Sequence, residues 1–153
     1  MSLSVGKKAP SFSGTDQNGN TKTLQDYSGK KLALYFYPQD DTPSCTNQAC
    51  NLRDNYAGLL KQGISVIGVS PDPVQKHKKF EAKYGLPFPL IADEDLKIIK
   101  KYGVWGWKKF MGREYIGLIR TTFLIDEKGK IKAIIERPVT KNHAAQVLEG
   151  FSG

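Results

Sequence analysis

Residues 31–45 read KLALYFYPQDDTPSC, an apolar and aromatic run followed by a proline-rich turn and a cysteine. The run at 31–37 is typical of a buried strand, which Pro38 ends. Thr42 and Pro43 are favoured as the N-cap and the first residue of a helix. The stretch therefore predicts a strand that delivers the start of a helix to the C-terminal edge of a sheet, where open α/β sheets bind their ligands.

The rest of the chain alternates strands with helices. Asn18 and Gly19 indicate an early β-hairpin. Apolar runs and helical periodicity predict strands at 64–70, 88–93, 121–126 and 130–136 and helices at 49–63, 73–85, 95–103 and 143–151. We interpret residues 1–153 as one α/β domain compatible with a thioredoxin-like fold. Its mixed central sheet is flanked by helices, carries an N-terminal β-hairpin extension and ends in an antiparallel hairpin at one edge.

The composition excludes several classes of protein. Apolar residues make up 39% of the chain and charged residues 25%, which is typical of a globular domain. No window approaches the roughly 18 apolar residues of a membrane helix, and the N-terminus MSLSVGKKAPSF lacks the apolar segment of a secretory signal. We expect a cytoplasmic protein with no membrane partner; an organellar location stays open if a transit peptide was removed. The net charge of +8 lies in scattered lysine clusters, so no nucleic-acid partner is expected.

Cys45 falls in the first turn of the predicted helix. Free backbone N–H groups and the positive end of the helix dipole favour a thiolate at this position. Asp40 and Asp41 oppose it, so a thiolate would need a cation, and none is close in sequence. The two aspartates have no role at this level beyond turn formation. Thr42 is either a plain N-cap or a group that faces substrate, and a packing role stays open for Cys45 and for Cys50.

The spacing of the two cysteines, Cys45 and Cys50, constrains their chemistry. In one regular helix, Cα atoms five residues apart are separated by about 8–9 Å and by about 140° around the axis. A disulfide needs Cα atoms closer than about 7 Å. Either the two thiols never pair, or pairing requires local unwinding of the helix.

Other chemistry has little support in the sequence. His77 and His143 stand apart from any cluster at metal-ligand spacing and are interpreted as surface residues, so no metal site is predicted. Walker, dinucleotide-binding and nucleophile-elbow motifs are absent from the sequence. A Cys–His protease pair stays open but has no local support.

The stretch FYPQDDTPSCTNQAC resembles the active-site segment of the peroxiredoxins, whose signature Pro-x-x-x-Thr-x-x-Cys is matched by Pro38, Thr42 and Cys45. Cys50 is similar to the second cysteine of the peroxiredoxin Q, or bacterioferritin-comigratory, subfamily. Further blocks extend the resemblance over most of the chain: KAPSFSGTDQNGN, GISVIGVSPD, KYGLPFPLIADED, KKFMGREY and RTTFLIDEKGKI. Ser44 and Gln39 stand where glycine and lysine are common, and neither departure removes a catalytic group.

The resemblance implies a thiol peroxidase. Cys45 would attack hydrogen peroxide or an alkyl hydroperoxide and become a sulfenic acid. Arg120, which precedes a Thr-Thr-Phe strand, would supply the missing cation and, with the Thr42 hydroxyl, stabilise the leaving oxygen. Pro38 would shape and dry the pocket. Cys50 would then form a disulfide with Cys45, and thioredoxin or a similar dithiol would reduce it. The resemblance also implies a monomer that needs no cofactor.

Two other functions compete with this interpretation. A thioredoxin-fold protein-disulfide oxidoreductase would act on protein dithiols, and a redox sensor would be oxidised without turnover. Consumption of peroxide separates the peroxidase from both alternatives.

Overall fold

The computed structural model describes residues 3–152, apart from the side chain of residue 110. The strands are β1 (Ser13–Thr15), β2 (Thr21–Thr23), β3 (Lys31–Phe36), β4 (Ile64–Ser70), β5 (Leu90–Ala92), β6 (Trp105–Phe110), β7 (Arg113–Leu118), β8 (Thr121–Ile125) and β9 (Ile131–Ile135). The helices are α1 (Pro43–Asp54), α2 (Tyr56–Lys61), α3 (Val74–Tyr84), α4 (Lys97–Lys101) and α5 (His143–Ser152), with 3-10 turns at Leu24–Tyr27 and Thr140–Asn142. None of the described helices is long and apolar enough to cross a membrane.

One mixed sheet organises the molecule, with the strand order β2-β1-β5-β4-β3-β8-β9. β4 runs parallel to both β3 and β5. β8 runs antiparallel to β3, and β9 antiparallel to β8. The early hairpin, β1 and β2, lies at the other edge, antiparallel to β5. The predicted mixed sheet, the N-terminal hairpin and the antiparallel edge are therefore confirmed.

The central strand β3 divides its side chains between two hydrophobic clusters, one on each face of the sheet. Leu32, Leu34 and Phe36 belong to the first cluster. Tyr35 belongs to the second, together with Cys45 and with Tyr37, the residue that follows the strand. Because successive side chains of a strand point to opposite faces and both faces are covered, β3 appears in the sequence as a continuous apolar run. The same packing places α1 and its cysteine over the tyrosine face of β3.

The predicted helix at 49–63 is two helices. α1 ends at Asp54 and α2 begins at Tyr56, with Asn55 between them at φ −110° and ψ 7°. The Asn55 side chain donates to the carbonyl of Asn51 at 2.8 Å. Asparagine competes for backbone hydrogen bonds in this way, which makes it unfavourable inside a helix. The apolar stripe on both helices nevertheless faces the same core, so periodicity alone does not reveal the break.

The hairpin of β6 and β7 was not predicted. Its two-residue turn is Met111-Gly112, and both residues have positive φ, at 52° and 79°. A type I′ turn requires this geometry and usually carries asparagine or aspartate at the first position. Because methionine occupies that position here, the usual sequence signal for a hairpin turn is missing. The hairpin ends at Leu118, and the amide of Ile119 donates to the carbonyl of Val104 at 2.7 Å. This closure fixes where the chain enters β8.

Candidate active site

The start of α1 has the predicted geometry. Thr42 is extended, with φ −87° and ψ 156°, and Pro43 is the first helical residue. The first hydrogen bond of the helix runs from the amide of Thr46 to the carbonyl of Thr42 at 2.8 Å. Cys45 is therefore in the first turn, where the amides of Ser44 and Cys45 have no acceptor within the helix. These amides and the helix dipole give the sulfur a positive environment.

The guanidinium of Arg120 contacts the sulfur of Cys45. Nη2 of Arg120 donates to Sγ at 3.2 Å, and Nη1 donates to Oε1 of Gln48 at 2.8 Å. Arg120 immediately precedes β8, whose Thr121 is paired with Phe36 at the end of β3. The antiparallel pairing of β3 and β8 thus brings the arginine to the sheet edge where α1 begins. Arg120 is the cation that the sequence around Cys45 lacks.

Gln48 was missed in the sequence. It lies three residues after Cys45 on the same side of α1 and is fully buried. Its Oε1 accepts from Arg120, while its Nε2 has no hydrogen-bond partner among the described residues. A buried unsatisfied donor costs about 1–3 kcal/mol. The signal for Gln48 in the sequence was its position three residues after Cys45. That spacing could be interpreted only after the position of Arg120 was known.

The Thr42 side chain does not cap the helix. Its hydroxyl donates to the carbonyl of Gln39 at 3.1 Å, and no helix amide is bonded to it. Of the two roles left open for Thr42, the plain N-cap is therefore wrong, because its side chain makes no capping hydrogen bond. Pro38, which is half-buried, begins the loop that leads to Thr42.

Cys50 is a free thiol in an intact α1, as is Cys45. Burial raises the pKa of the Cys50 thiol, an effect that Arg53 opposes and Asp54 reinforces. Cys50 is therefore protonated at neutral pH in this conformation. Because a thiol is a far weaker nucleophile than a thiolate, the folded helix keeps Cys50 unreactive while Cys45 contacts Arg120.

Asp40 is buried in a hydrogen-bond network under the loop. Its carboxylate accepts from the hydroxyl of Tyr37 at 2.6 Å and lies 2.6 Å from Nδ1 of His77. Its amide donates to Oδ2 of Asp72 at 2.7 Å. His77 has no exposed surface, so its interpretation as a surface residue is wrong. It lies on α3, and α3 covers this loop.

Asp41 ties the same loop to α3 from the outside. It has a positive φ of 61°, which aspartate tolerates better than most residues. Its carboxylate accepts from Lys83 at 2.8 Å and from the hydroxyl of Tyr84 at 2.7 Å. These hydrogen bonds lower the pKa of Asp41, with Lys83 the larger cause. The two aspartates therefore have a structural role that turn formation alone did not indicate.

Asp40, Asp72 and His77 also form a cluster of metal-ligand type, since one ligand atom from each lies within 4.8 Å of the others. Their atoms already bond to one another, and Oδ2 of Asp72 accepts in addition from the hydroxyl of Ser70 at 2.8 Å. A metal ion would have to displace these hydrogen bonds. The arrangement fits a self-contained hydrogen-bond network better than a metal site.

His143 is the second histidine whose interpretation as a surface residue is wrong. It is fully buried at the start of α5. Its Nδ1 donates to Oε1 of Gln146 at 2.9 Å, and its Nε2 accepts from the Thr122 hydroxyl at 2.9 Å. This pairing fits the neutral ring. Burial lowers the pKa of His143, the nearby Arg120 lowers it further, and the bond to Gln146 opposes them.

The lowered pKa of His143 predicts acid sensitivity. The unfolded chain binds this proton near the ordinary value of 6.5, whereas the folded protein binds it only at lower pH. The stabilisation is complete above pH 6.5 and is lost as the pH falls, with a slope of at most about 1.4 kcal/mol per pH unit for one proton. Urea unfolding of His143→Gln between pH 5 and 8 should show a shallower loss below pH 6.5 than wild type. Equal slopes in the two proteins would contradict the prediction.

A cysteine in the first turn of a helix after a central strand, faced by an arginine that immediately precedes the adjacent antiparallel strand, defines a thiol-based redox enzyme on a thioredoxin-like scaffold. The model of the AhpC/TSA family matches residues 5–134. The chain belongs to this family, within the peroxiredoxins of the Bcp or PrxQ type.

Individual relatives agree with this assignment. Peroxiredoxin Bcp of Escherichia coli (strain K12) is 45% identical over 146 residues, which are 95% of this chain and 94% of that protein. The crystal structure of a cysteine-to-serine mutant of Xylella fastidiosa PrxQ has a TM-score of 0.92 at 29% identity, covering 99% of this chain and 97% of the other. The bacterioferritin comigratory protein of Xanthomonas campestris, described for its alkyl peroxide reduction activity, has a TM-score of 0.88 at 29% identity and covers 97% and 98%. These similarities confirm the thioredoxin-like fold and a peroxidase enzyme.

Proposed function

We propose that the enzyme reduces hydrogen peroxide and alkyl hydroperoxides at Cys45, with Cys50 as the resolving thiol and thioredoxin or a similar dithiol as the reductant. The observation that carries the proposal is the 3.2 Å contact between Nη2 of Arg120 and Sγ of Cys45 in the first turn of α1. A guanidinium in hydrogen-bond contact with a sulfur favours its thiolate form. The Xanthomonas relative, described for alkyl peroxide reduction, supports the substrate class.

In the first step the Cys45 thiolate attacks the terminal oxygen of the hydroperoxide. An S–O bond forms, the O–O bond breaks, and the sulfur loses two electrons to become a sulfenic acid. The other oxygen leaves with the electron pair, takes up a proton and departs as water or an alcohol. Negative charge therefore moves from the sulfur toward the leaving oxygen during the step.

Donors around Cys45 suit that movement of charge. Arg120 holds one nitrogen on the sulfur and the other on Gln48, so its plane is fixed before substrate arrives. The free amides of the first turn add preorganised donors, and fixed donors of this kind stabilise developing charge without reorganisation. The Thr42 hydroxyl donates a hydrogen bond to the carbonyl of Gln39, so its one proton is not directed at the leaving oxygen. Its lone pairs are thereby available to accept from the hydroperoxide, and Pro38 closes the same loop against water.

The second step requires α1 to unwind. Cys45 and Cys50 share one intact helix, and their Cα atoms are too far apart for a disulfide, as the helix geometry requires. Unwinding would break both hydrogen bonds of Arg120 to α1. It would also release Asn51, whose side chain donates to the carbonyl of Lys141 at 3.0 Å and accepts from the amide of Ala144 at 2.8 Å. Cys50 then attacks the sulfenic sulfur, water leaves, and a dithiol returns both cysteines to thiols.

Measuring which substrate the wild-type protein turns over tests the proposed class of reaction. We expect it to consume hydrogen peroxide and an alkyl hydroperoxide in the presence of a thioredoxin system. Reduction of insulin disulfides without peroxide turnover would instead favour the protein-disulfide oxidoreductase, and oxidation without turnover would favour the sensor. We also propose that the enzyme acts as a cytoplasmic monomer, which size-exclusion chromatography with light scattering tests for the oligomeric state.

Arg120 is expected to govern the first step. Replacing it with glutamine removes the charge and the paired donors, and loss of a transition-state donor of this type costs about 10²–10³ in rate. Lysine keeps the charge but not the planar fork, so Arg120→Lys should retain part of the rate. The measurement is the rate constant of Cys45 oxidation by hydrogen peroxide. Arg113→Gln, on the exposed part of β7, is the control and should match wild type. An unchanged rate in Arg120→Gln would remove the arginine from the mechanism.

A further inference from the structure

We infer that Asp40, His77 and Asp72 are positioning residues for the peroxidase reaction: their buried hydrogen bonds hold the loop at 38–42 so that the Thr42 hydroxyl is oriented toward peroxide at Cys45. The inference rests on the proposed function and assigns a positioning role to three further residues. None of them belongs to the peroxiredoxin signature quoted above, and none contacts the sulfur.

Asp40 holds the loop through hydrogen bonds of both its side chain and its backbone amide. The Asp40 carboxylate bonds to Tyr37 at the end of β3 and to His77 on α3, each at 2.6 Å, while the Asp40 amide bonds to Asp72. The side chains of Asp40 and His77 have no exposed surface. Hydrogen bonds excluded from water in this way hold their geometry more firmly than those of an exposed loop.

The protons of the pair can be assigned from its partners. Nε2 of His77 lies 2.9 Å from the carbonyl of Ile91, which only accepts, so Nε2 carries a proton. Nδ1 then shares one proton with Oδ2 of Asp40 across 2.6 Å. Oδ1 of Asp40 accepts from Tyr37. Every polar atom of the pair is therefore satisfied, and removing either side chain leaves one buried polar atom of its partner without a hydrogen bond.

The link to Thr42 runs through a single peptide group. The amide of Asp40 and the carbonyl of Gln39 belong to one planar unit, so fixing one end fixes the direction of the other. Asp72 accepts from that amide at 2.7 Å, and the Thr42 hydroxyl donates to that carbonyl at 3.1 Å. Asp72 is itself held by the hydroxyl of Ser70 at 2.8 Å and by Lys76 at 3.1 Å. The orientation of the Thr42 hydroxyl thus depends on the buried network.

Asp41 provides a matched comparison within the same loop. It also ties the loop to α3, through Lys83 and Tyr84, but it is exposed and its bonds do not involve the peptide that Thr42 contacts. Asparagine tolerates the positive φ of this position. Asp41→Asn therefore weakens an exposed tie while leaving the network intact.

The test measures two reactions of Cys45 in the full-length protein: oxidation by hydrogen peroxide and alkylation by iodoacetamide. We expect Asp40→Ala to lower the rate constant with peroxide by about 10- to 100-fold, since small misplacements of reacting groups have effects of this size. Alkylation, which does not use the Thr42 hydroxyl, should change by less than about 3-fold. Asp40→Asn can bond to both Tyr37 and His77 and should stay within about 3-fold of wild type in both reactions, as should Asp41→Asn.

A double-mutant cycle with Thr42→Val identifies the route of the effect. If Asp40 acts through the Thr42 hydroxyl, Asp40→Ala should cost at most about 3-fold more in the Thr42→Val background, because coupled residues are not additive. Asp72→Ala, closer to the surface, tests the peptide link should Asp40→Ala not fold, and it should also slow the peroxide reaction selectively. The inference is overturned if folded Asp40→Ala or Asp72→Ala reacts with peroxide at the wild-type rate. It is also overturned if the rate constants for peroxide and for iodoacetamide fall equally, or if Asp40→Asn lowers the peroxide rate constant as much as Asp40→Ala does. A wild-type protein that consumes no peroxide would instead overturn the proposed function.

Discussion

Cys45→Ser is expected to abolish the consumption of peroxide with a thioredoxin system. A serine hydroxyl stays protonated at neutral pH, because neither the first-turn amides nor Arg120 lowers a hydroxyl pKa enough to make an alkoxide. The substitution is nearly isosteric in a position that is 1% exposed, so the fold and the α1 start should persist. Peroxide loss followed directly, together with the circular dichroism spectrum, is the measurement.

Cys50→Ser is the matched control for that experiment because it alters the other cysteine of the same helix. It should still consume one equivalent of peroxide, whereas Cys45→Ser should consume none. If Cys45→Ser retained the wild-type rate, the peroxide would react elsewhere and the proposed mechanism would be wrong.

Cys50→Ser is expected to lose thioredoxin-dependent cycling while keeping the first turnover. Cys45 would be oxidised at the wild-type rate, and the sulfenic acid would accumulate because no thiol in the chain can condense with it. Mass spectrometry after trapping of the sulfenic acid measures the accumulation, and peroxide consumption with a thioredoxin system measures the cycling. Unchanged cycling would show that an external thiol resolves Cys45 directly.

The same step predicts a change in α1. Hydrogen exchange of residues 42–55 should be slow in the reduced protein and much faster in the disulfide form, because the bond cannot form across an intact helix. Exchange in β4 should be alike in both forms, since its backbone is paired with β3 on one side and β5 on the other and makes no ladder with α1. Equal protection of α1 in the two forms would exclude unwinding as part of the cycle.

Local sequence rules predicted the elements that carry the site. Thr42 and Pro43 begin α1 as expected, because the capping preferences of these residues act over a single turn. The central strands were predicted to within a few residues because both faces are buried. The break at Asn55 and the turn at Met111 were missed, since in each case one residue adopts a conformation that the surrounding pattern does not require.

The constellation around Cys45 was less accessible to local rules. Arg120 came only from the family resemblance, and Gln48 was overlooked, although the three form one hydrogen-bonded unit. His77 and His143 were placed on the surface because a lone histidine gives no measure of its burial. Their partners, Asp40 and Thr122, lie 37 and 21 residues away, and only the packing of α3 and α5 on the sheet brings them together.

The sequence by itself determined that Cys45 lies in the first turn of a helix at the end of a buried strand, and that Cys50 cannot form a disulfide with it while that helix is intact. Both conclusions follow from capping and helix geometry, which depend on neighbouring residues alone. The tertiary structure decided which cation faces the thiol and what holds the loop before it. Arg120 arrives by the antiparallel pairing of β8 with β3, and Asp40 meets His77 because α3 packs over the loop. Contacts between residues distant in the chain arise from strand order and packing, which no local pattern records.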